Sequence, residues 1–322
     1  MCATDANVPE SGDYAEGTLP GNRPMTPGEP VRLIAIDIDG TLLDGRGALP
    51  PRNRRAVHRA IEQGLRVVLV TGRAFHHARP IAEALAPEQA PDALVLIVSN
   101  GALTKRADGT TLDRCLVPRD TARAIVTAMR PRHPGVAVVF DRSDARQYVY
   151  EGIDWSHPQR RWYYERNRAF MTRVEPIEAA LTDDPAQVAF TGGVEQMRAL
   201  ADEVRGLPQA PGVTITLTEY DERDFSLLDL IAGGWSKGAA LKAWTRRLEL
   251  DHTAVMAVGD NLNDREMLEF AGRPVVMGNA VEPLKALGWP VTATHDECGL
   301  ADAIEAVVGD GSEPHRRPSS SV

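Results

Sequence analysis

Short apolar runs alternate with helical patterns along the first hundred residues of the chain. Residues 31–38, 66–70 and 94–98 are dominated by aliphatic side chains, as expected for strands that are buried on both faces. A helical pattern begins at Pro51 and stops at Gly64, and a second one precedes the third apolar run. The order strand, helix, strand, helix, strand predicts a parallel sheet covered by helices.

The pattern changes after the third of these strands. Residues 103–222 carry short strand-like runs with fewer helices between them, which predicts an α+β domain inserted into the first one. The parallel pattern then resumes with a predicted strand over 227–231 and further alternating runs. We therefore expect an α/β fold whose parallel-sheet core is divided into residues 31–102 and 223–308.

The two ends of the chain are rich in Pro, Gly and polar residues, and we expect residues 1–30 and 309–322 to be disordered. Residues 1–30 have neither the basic start nor the apolar stretch of a secretory signal. No apolar run approaches the ~20 residues that span a bilayer. The net charge of −9 argues against a nucleic-acid binder, which needs a basic face. These features predict a cytoplasmic protein that binds neither membranes nor nucleic acid.

Two carboxylates follow the first predicted strand, in the motif DIDGTL at residues 37–42. Phosphoryl transfer to an aspartate needs a carboxylate nucleophile, an acid for the leaving group and a base for water. Asp37 can take the first role and Asp39 the other two, while Gly40 lets the backbone turn close to a phosphate. An Asp-Gly pair by itself is also common in ordinary turns.

The second and third predicted strands also end in polar, glycine-bearing loops, where α/β sheets bind ligands. In the motif TGR the hydroxyl of Thr71 can donate to a phosphate oxygen, and the following amides, beginning with that of Gly72, can add to the contact. The alternative is that Thr71 caps the next helix, which is a standard use of threonine. The third strand ends in SNGA, whose polar member Asn100 is expected to support the site.

A lysine and two acids stand out in the second part of the core. Lys237 starts a predicted helix, where the helix dipole disfavours a cation, and it can neutralise both a phosphate and the nucleophile; a solvated surface lysine is the alternative. The motif GDNLND at 259–264 follows an apolar strand and contains Asp260 and Asp264. Because Mg²⁺ prefers oxygen ligands, Asp37 and Asp260 are the expected direct carboxylates. Asp264 is expected to hold a water or to orient the lysine.

Together these motifs supply a nucleophile, an acid–base group, a phosphate clamp and a cation site, each close to a strand end. On these motifs the chain resembles the haloacid dehalogenase superfamily of phosphatases, and within it the Cof-type branch, whose members carry a large α/β cap between the second and third motifs. The resemblance spans about 31–305. It implies a Rossmann-like core, an inserted cap at 103–222 and an aspartyl-phosphate intermediate.

The resemblance also implies roles for individual residues. Mg²⁺ would be held by Asp37, by the backbone carbonyl of Asp39 and by Asp260. The implied phosphate contacts are Thr71, Lys237 and Asn263.

We therefore expect a Mg²⁺-dependent phosphatase that hydrolyses a phosphomonoester of a small metabolite, either a sugar phosphate or a phosphorylated cofactor. Two alternatives use the same residues: a sugar phosphomutase, and a non-catalytic regulator that binds a phosphorylated metabolite. An acid at Asp39 favours hydrolysis or transfer between sugar hydroxyls over a persistent phospho-enzyme. The aromatic and arginine-rich stretch 155–170 is expected to form cap core and a solvated basic face rather than a nucleotide site.

Overall fold

The computed structural model of the chain describes residues 30–86, 93–144, 146–220 and 224–308. Within them the strands are β1 (Leu33–Asp37), β2 (Arg66–Val70), β3 (Leu94–Val98), β4 (Leu103–Arg106), β5 (Thr111–Arg114), β6 (Val136–Val139), β7 (Tyr148–Glu151), β8 (Met171–Arg173), β9 (Gln187–Gly192), β10 (Val213–Tyr220), β11 (Phe225–Ala232), β12 (Val255–Gly259) and β13 (Arg273–Val276).

The helices of the described residues are α1 (Pro51–Glu62), α2 (Phe75–Leu85), α3 (Arg119–Met129), α4 (Pro158–Asn167), α5 (Val194–Arg205), α6 (Lys237–Arg247), α7 (Arg265–Phe270), α8 (Glu282–Lys285) and α9 (Gly299–Val308). None of these helices has the length and apolar character that a membrane crossing requires. The terminal segments expected to be disordered, 1–30 and 309–322, lie outside the described residues except for Pro30.

The first sheet has seven strands in the order β13-β12-β1-β2-β3-β4-β5. The pairs β1–β2, β1–β12, β2–β3 and β12–β13 are all parallel. Parallel neighbours need a crossover connection, and α1, α2 and α7 supply it between successive strands. The parallel, helix-covered core predicted from the alternating pattern is confirmed.

Side chains of β1 alternate between the two hydrophobic clusters that cover the faces of this sheet. Ile34 and Ile36 pack in a cluster with side chains of α1, α2 and α9, whereas Leu33 and Ala35 pack with side chains of α6 and α7. Every residue of β1 is buried, which explains why this run is continuously apolar up to Asp37. Helices therefore pack on both faces of the sheet at β1, the strand that ends at the motif DIDGTL.

A second sheet of six strands, in the order β10-β11-β9-β6-β7-β8, forms the inserted cap. All its pairs are antiparallel except that of β7 with β8. One face packs against α3 and α5 through an apolar cluster. The other face carries aromatic side chains of α4 and contacts the core around Ala74. The predicted α/β core with an inserted α+β cap is confirmed.

Sheet membership departs from the predicted limits of the insertion at both ends. β4 and β5 form a hairpin that extends the core sheet antiparallel to β3, although 103–222 was assigned to the cap. β11 pairs with β9 and β10 in the cap sheet, so the prediction of a parallel core strand over 227–231 is wrong. Because β11 is buried on both faces, its sequence resembles that of a core strand. We propose that the cap extends from about Val117 to about Gly233.

Candidate active site

The parallel strands of the core bring the motif residues to one edge of the sheet, where α/β folds bind ligands. Asp37 is the last residue of β1, and Thr71 follows β2. Asn100 follows β3, and Asp260 follows β12. Four residues that are distant in sequence therefore lie at the same strand edge.

The chain turns sharply just after Asp37. Gly40 has a φ of 85°, in the left-handed region that favours glycine. A Cβ at this position would lie 2.2 Å from Oδ2 of Asp260, so any side chain here would displace that carboxylate. Asn279 donates a hydrogen bond to the carbonyl oxygen of Gly40 at 2.9 Å. The turn thus places the motif DIDGTL directly against the motif GDNLND, which contains Asp260.

Lys237 is buried with 2% of its surface exposed, which excludes the alternative of a solvated surface lysine. Its Nζ donates to Oδ1 of Asp37 and to Oδ1 of Asp264, both at 2.6 Å. Ser236 caps α6 by accepting the backbone N–H of Ala239 at 3.0 Å, which holds Lys237 in the first turn of the helix. The attraction of two adjacent carboxylates outweighs the unfavourable helix dipole at this position.

Asp264 accepts three hydrogen bonds from within the protein. One carboxylate oxygen accepts from Lys237, and the other accepts from the backbone N–H groups of Asp260 and Asn261 at 3.0 Å each. The residue has no exposed surface. Of the two roles expected for Asp264, this geometry fits orientation of the lysine and of the 259–264 loop.

The third carboxylate of the site, Asp260, accepts a hydrogen bond from the hydroxyl of Thr41 at 2.9 Å. Ligand atoms of Asp37, Asp260 and Asp264 all lie within 4.8 Å of one another. Burial and the charge of Asp264 raise the pKa of Asp37 to about 8, although Lys237 acts in the opposite direction. Burial and the charge of Asp37 likewise raise the pKa of Asp260 well above its ordinary value.

This cluster has the composition of a divalent-cation site. One buried lysine does not balance three carboxylates, and repulsion between them adds to burial in raising the pKa values of Asp37 and Asp260. A cation bound between them would remove that repulsion, and carboxylate oxygens are the ligands that Mg²⁺ prefers. The residues present therefore fit a magnesium ion.

Arg73 is a site residue to which sequence reasoning assigned no role. Its Nε and Nη2 donate to the two oxygens of Asp39 at 2.7 and 2.5 Å, a bidentate ion pair. Burial acts to raise the pKa of Asp39, but the hydrogen bonds and charge of Arg73 outweigh it, so that pKa lies below its ordinary value. The only signal in the sequence was that an arginine follows Thr71 and Gly72.

His77 lies one helical turn after this arginine, on α2. Its Nε2 is 3.2 Å from Nη1 of Arg73. Burial and the charge of Arg73 lower the pKa of His77 to about 3, so the imidazole is neutral near pH 7. The opposite side of the imidazole meets the cap, where Tyr163 lies edge-on at 5.0 Å between ring centroids.

Thr71 is buried, and its hydroxyl accepts the backbone N–H of Arg73 at 3.1 Å. The N-cap residue of α2 is Ala74, and no side chain caps that helix. The alternative role of Thr71 as a helix cap is therefore wrong. The hydroxyl hydrogen of Thr71 stays available for an acceptor at the strand edge.

Asn100 contacts both the motif TGR and the motif GDNLND. Its backbone is in the left-handed region, with a φ of 54°, and its N–H donates to the carbonyl oxygen of Thr71 at 3.0 Å. A Cβ on Gly72 would lie 3.1 Å from the Oδ1 of Asn100, so these residues are in close contact. The Nδ2 of Asn263 lies 3.4 Å from the same Oδ1. The structure thus brings all the predicted site residues to one region.

The cap sheet lies over this region. β10 contacts the turn at Leu262–Asp264. The pKa of Tyr220 at the end of β10 is raised by burial and by the charges of Asp39 and Asp37, so its side chain lies within electrostatic reach of the acid pair. On α4, Tyr163 and Tyr164 pack against the cap sheet, whereas Trp162 is 41% exposed and its ring lies under the guanidinium of Arg166 at 4.0 Å.

The comparisons with known proteins agree with this arrangement. A family model described as haloacid dehalogenase-like hydrolase matches residues 34–304. Because the match covers most of the chain, the protein belongs to the haloacid dehalogenase-like hydrolases. The expected Cof-type resemblance is confirmed.

Several curated relatives span nearly the same length. Phosphatase YwpJ of Bacillus subtilis is 28% identical over 297 residues, covering 85% of this chain and 99% of that protein. Pyridoxal phosphate phosphatase YbhA of Escherichia coli is 29% identical over 270 residues, with 79% and 90% covered. HMP-PP phosphatase of Serratia proteamaculans is 27% identical over 260 residues, with 80% and 87% covered.

Solved structures share the fold. A haloacid dehalogenase-like hydrolase from Bacteroides thetaiotaomicron is 25% identical, with a TM-score of 0.71 and coverage of 86% of this chain and 99% of that one. A haloacid dehalogenase-like hydrolase from B. subtilis has the same identity and TM-score, with 85% and 99% covered.

Proposed function

We propose that the protein is a Mg²⁺-dependent phosphatase that hydrolyses phosphomonoesters of small metabolites through an aspartyl-phosphate intermediate on Asp37. The enzyme class is that of the named relatives, which are phosphatases. The observation that carries the proposal is the buried lysine shared by two carboxylates. Lys237 donates to both Asp37 and Asp264 beside a third acid, Asp260, and burial of so many charges costs folding free energy, which favours a catalytic role.

Mg²⁺ would be held by the carboxylates of Asp37 and Asp260 and by the backbone carbonyl of Asp39. Asp264 would act behind these ligands, because Lys237 and the backbone N–H groups of Asp260 and Asn261 already take three of its acceptor positions. When bound, the ion supplies positive charge that draws the phosphate oxygens to the nucleophile and offsets the charge that builds up on them.

The reaction would proceed in two displacements. One oxygen of Asp37 attacks phosphorus while the bond from phosphorus to the ester oxygen breaks, and Asp39 gives its proton to the departing alkoxide. Asp39 then takes a proton from water as that water attacks the same phosphorus. The bond from phosphorus to Asp37 breaks, inorganic phosphate leaves and the free carboxylate is restored.

Arg73 sets the protonation state of the acid–base group. While Arg73 donates both hydrogen bonds to Asp39, the carboxylate stays ionised. This state suits the second displacement, because that step needs a base. The first displacement needs a proton on Asp39. We propose that the incoming phosphate draws Arg73 away or offsets its charge, so that the pKa of Asp39 rises when a substrate is present.

The phosphate group would be held by donors from three motifs. Thr71 offers its hydroxyl and Gly72 its backbone amide, while Lys237 neutralises charge. Asn263 offers its side-chain amide, and Asn100 supports that amide from the side. These donors lie at the edge where the strands end, next to the nucleophile.

A row of hydroxyl groups on the cap strand β10 faces this site. Ile215 and Leu217 pack into the apolar cluster of the cap, so the alternate residues Thr216, Thr218 and Tyr220 project from the other face. No hydrogen bond joins these three hydroxyls to another described residue. Alternate side chains of a strand are ~7 Å apart, so the row spans about 13 Å.

Neutral hydroxyls of this kind bind the hydroxyls and carbonyls of a polar, uncharged group. We therefore favour a substrate whose organic part is polar and of metabolite size, such as a sugar phosphate or a phosphorylated cofactor. Such compounds occur in the cytoplasm, where we propose that the enzyme acts.

The test is phosphate release by the purified protein from a panel of sugar phosphates, phosphorylated cofactors and simple aryl phosphates. We expect turnover with Mg²⁺, loss of turnover with a chelator, and loss in the Asp37→Asn variant. Absence of phosphate release above the level of that variant contradicts the proposal. Isomerised sugar phosphate without free phosphate would show a mutase instead, and tight binding of an ester without turnover would show a regulator.

A further inference from the structure

Asp229 is a buried carboxylate that reaches from the cap to the core. It lies on β11 between Leu228 and Leu230, which pack into the apolar cluster of the cap, so its own side chain projects from the opposite face. There its Oδ2 accepts a hydrogen bond from Nδ2 of Asn100 at 2.9 Å. Only 4% of its surface is exposed.

Among the residues that the structure describes, no cation is found to compensate the buried charge of Asp229. The side-chain amide of Asn100 donates a hydrogen bond to this carboxylate, the amide of Gln187 lies near enough to lower its pKa, and the titratable groups that sense it are Tyr148 and Tyr163. A buried carboxylate with only neutral partners is costly, and burial raises its pKa to about 7. This residue costs folding free energy, which points to a task other than stability.

Asp229 acts on the phosphate site through Asn100. An ionised carboxylate can only accept, so Asp229 draws the Nδ2 of Asn100 toward itself and turns the Oδ1 of Asn100 away. That Oδ1 is the atom that meets Nδ2 of Asn263 at 3.4 Å and closely approaches Gly72. One amide hydrogen of Asn263 is thus directed to Asn100, and the second remains for the phosphate.

We propose that Asp229 is a positioning residue that couples the seating of the cap to phosphate binding. With the cap seated, its carboxylate fixes the amide of Asn100, and Asn100 in turn fixes the amide of Asn263. The phosphate clamp is then complete only while β11 lies against the core. This inference rests on the proposed phosphatase function, because it gives Asn263 a phosphate to bind.

The test distinguishes the effect of a hydrogen-bond acceptor at position 229 on phosphate binding from the effect of the substitution on the stability of the protein. Asp229→Leu has nearly the same shape but no acceptor, and Asp229→Ala is a second variant without one. Asp229→Asn keeps one acceptor oxygen for Asn100. The matched control is Asp141→Asn, because Asp141 is also a cap carboxylate that reaches the core, where it pairs with Lys105 and Thr111 away from the phosphate site.

Two quantities are measured for each variant: the melting temperature and the dissociation constant of inorganic phosphate by calorimetry with Mg²⁺. Loss of one oriented hydrogen bond weakens binding by about tenfold, so we expect that change in Asp229→Leu and Asp229→Ala. Asp229→Asn should bind phosphate within about threefold of the parent and melt at a higher temperature. Asp141→Asn should melt at a lower temperature with unchanged phosphate affinity.

Parent-like phosphate affinity in either acceptor-less variant overturns the inference, as does a tenfold loss in Asp141→Asn. Phosphate affinity that simply follows melting temperature across the set also overturns it, because a purely structural role predicts that result. If the parent binds phosphate but hydrolyses no ester, the proposed function fails while the coupling through Asp229 is still measured.

Discussion

The guanidinium of Arg73 holds both oxygens of Asp39, although 34 positions separate the two residues in the chain. Replacement of this arginine by glutamine should raise the pKa of Asp39, because the hydrogen bonds and the charge that lower it are lost. The second displacement needs Asp39 ionised, so the acid limb of the profile of kcat against pH, measured with an aryl phosphate for which hydrolysis of the phospho-enzyme limits turnover, should move to higher pH by about one unit.

Arg79→Gln is the matched control, since Arg79 lies on α2, the helix that follows Arg73, and forms an ion pair with the exposed Glu83. It should leave the profile unchanged. An acid limb at the same pH in Arg73→Gln and in the parent contradicts the role given to the arginine.

Lys237→Met should be severe for both stability and activity. It leaves Asp37 and Asp264 buried without their shared cation, and breaking such a pair costs about 3–5 kcal/mol in the free energy of unfolding. Chemical denaturation measures this loss, and phosphate release should fall at least about a thousandfold. Lys242→Met, at an exposed position of the same helix, should change neither quantity appreciably; equal losses in both variants would refute the account of Lys237.

Magnesium should stabilise the protein against heat. A ligand that binds only the folded state adds about 2.7 kcal/mol when present at a hundred times its dissociation constant. The gain in melting temperature should be larger at pH 8 than at pH 5, since protons compete for carboxyls whose pKa values are raised. Asp260→Asn should lose most of this gain. An equal gain in that variant would show that the ion binds elsewhere.

Asp229→Asn should stabilise the protein in a pH-dependent way. The pKa of Asp229 is about 7 in the folded chain and about 3.9 when unfolded, so the parent loses stability as pH rises through this interval. The asparagine variant does not lose this stability, because its side chain does not ionise. Its advantage in the free energy of unfolding should be below about 1 kcal/mol at pH 4 and on the order of 4 kcal/mol at pH 8. The nearby titratable groups Tyr148 and Tyr163 stay neutral throughout, and a pH-independent difference would contradict the assignment.

The parallel core was predictable from sequence because local signals agree with the tertiary structure. The apolar run that ends at Asp37 is buried on both faces, and each polar loop follows a strand of the same sheet. The same reasoning failed for β11, whose apolar character has a different origin: one face packs in the cap and the other against the core. The acid in its middle, Asp229, was the one sign that this strand differs.

The missing parts of the site depend on contacts that a linear pattern does not carry. The role of Arg73 follows from its pairing with Asp39, and the role of Asn100 follows from its position between Asp229 and Asn263. In each case the residue type was visible in the sequence but the partner was not. Placement of the cap over the strand ends supplied those partners.

The central claim is that Asp37 becomes phosphorylated, and it is tested most directly by trapping that species. In Asp39→Asn no base remains for the attacking water, so phosphoryl groups from a substrate with a good leaving group, such as an aryl phosphate, should accumulate on the enzyme. Mass spectrometry of the acid-quenched variant should find one phosphoryl group on the peptide that contains Asp37, and hydroxylamine should remove it. Phosphate release by the parent with no phosphoryl group on Asp37 in the variant would contradict the account.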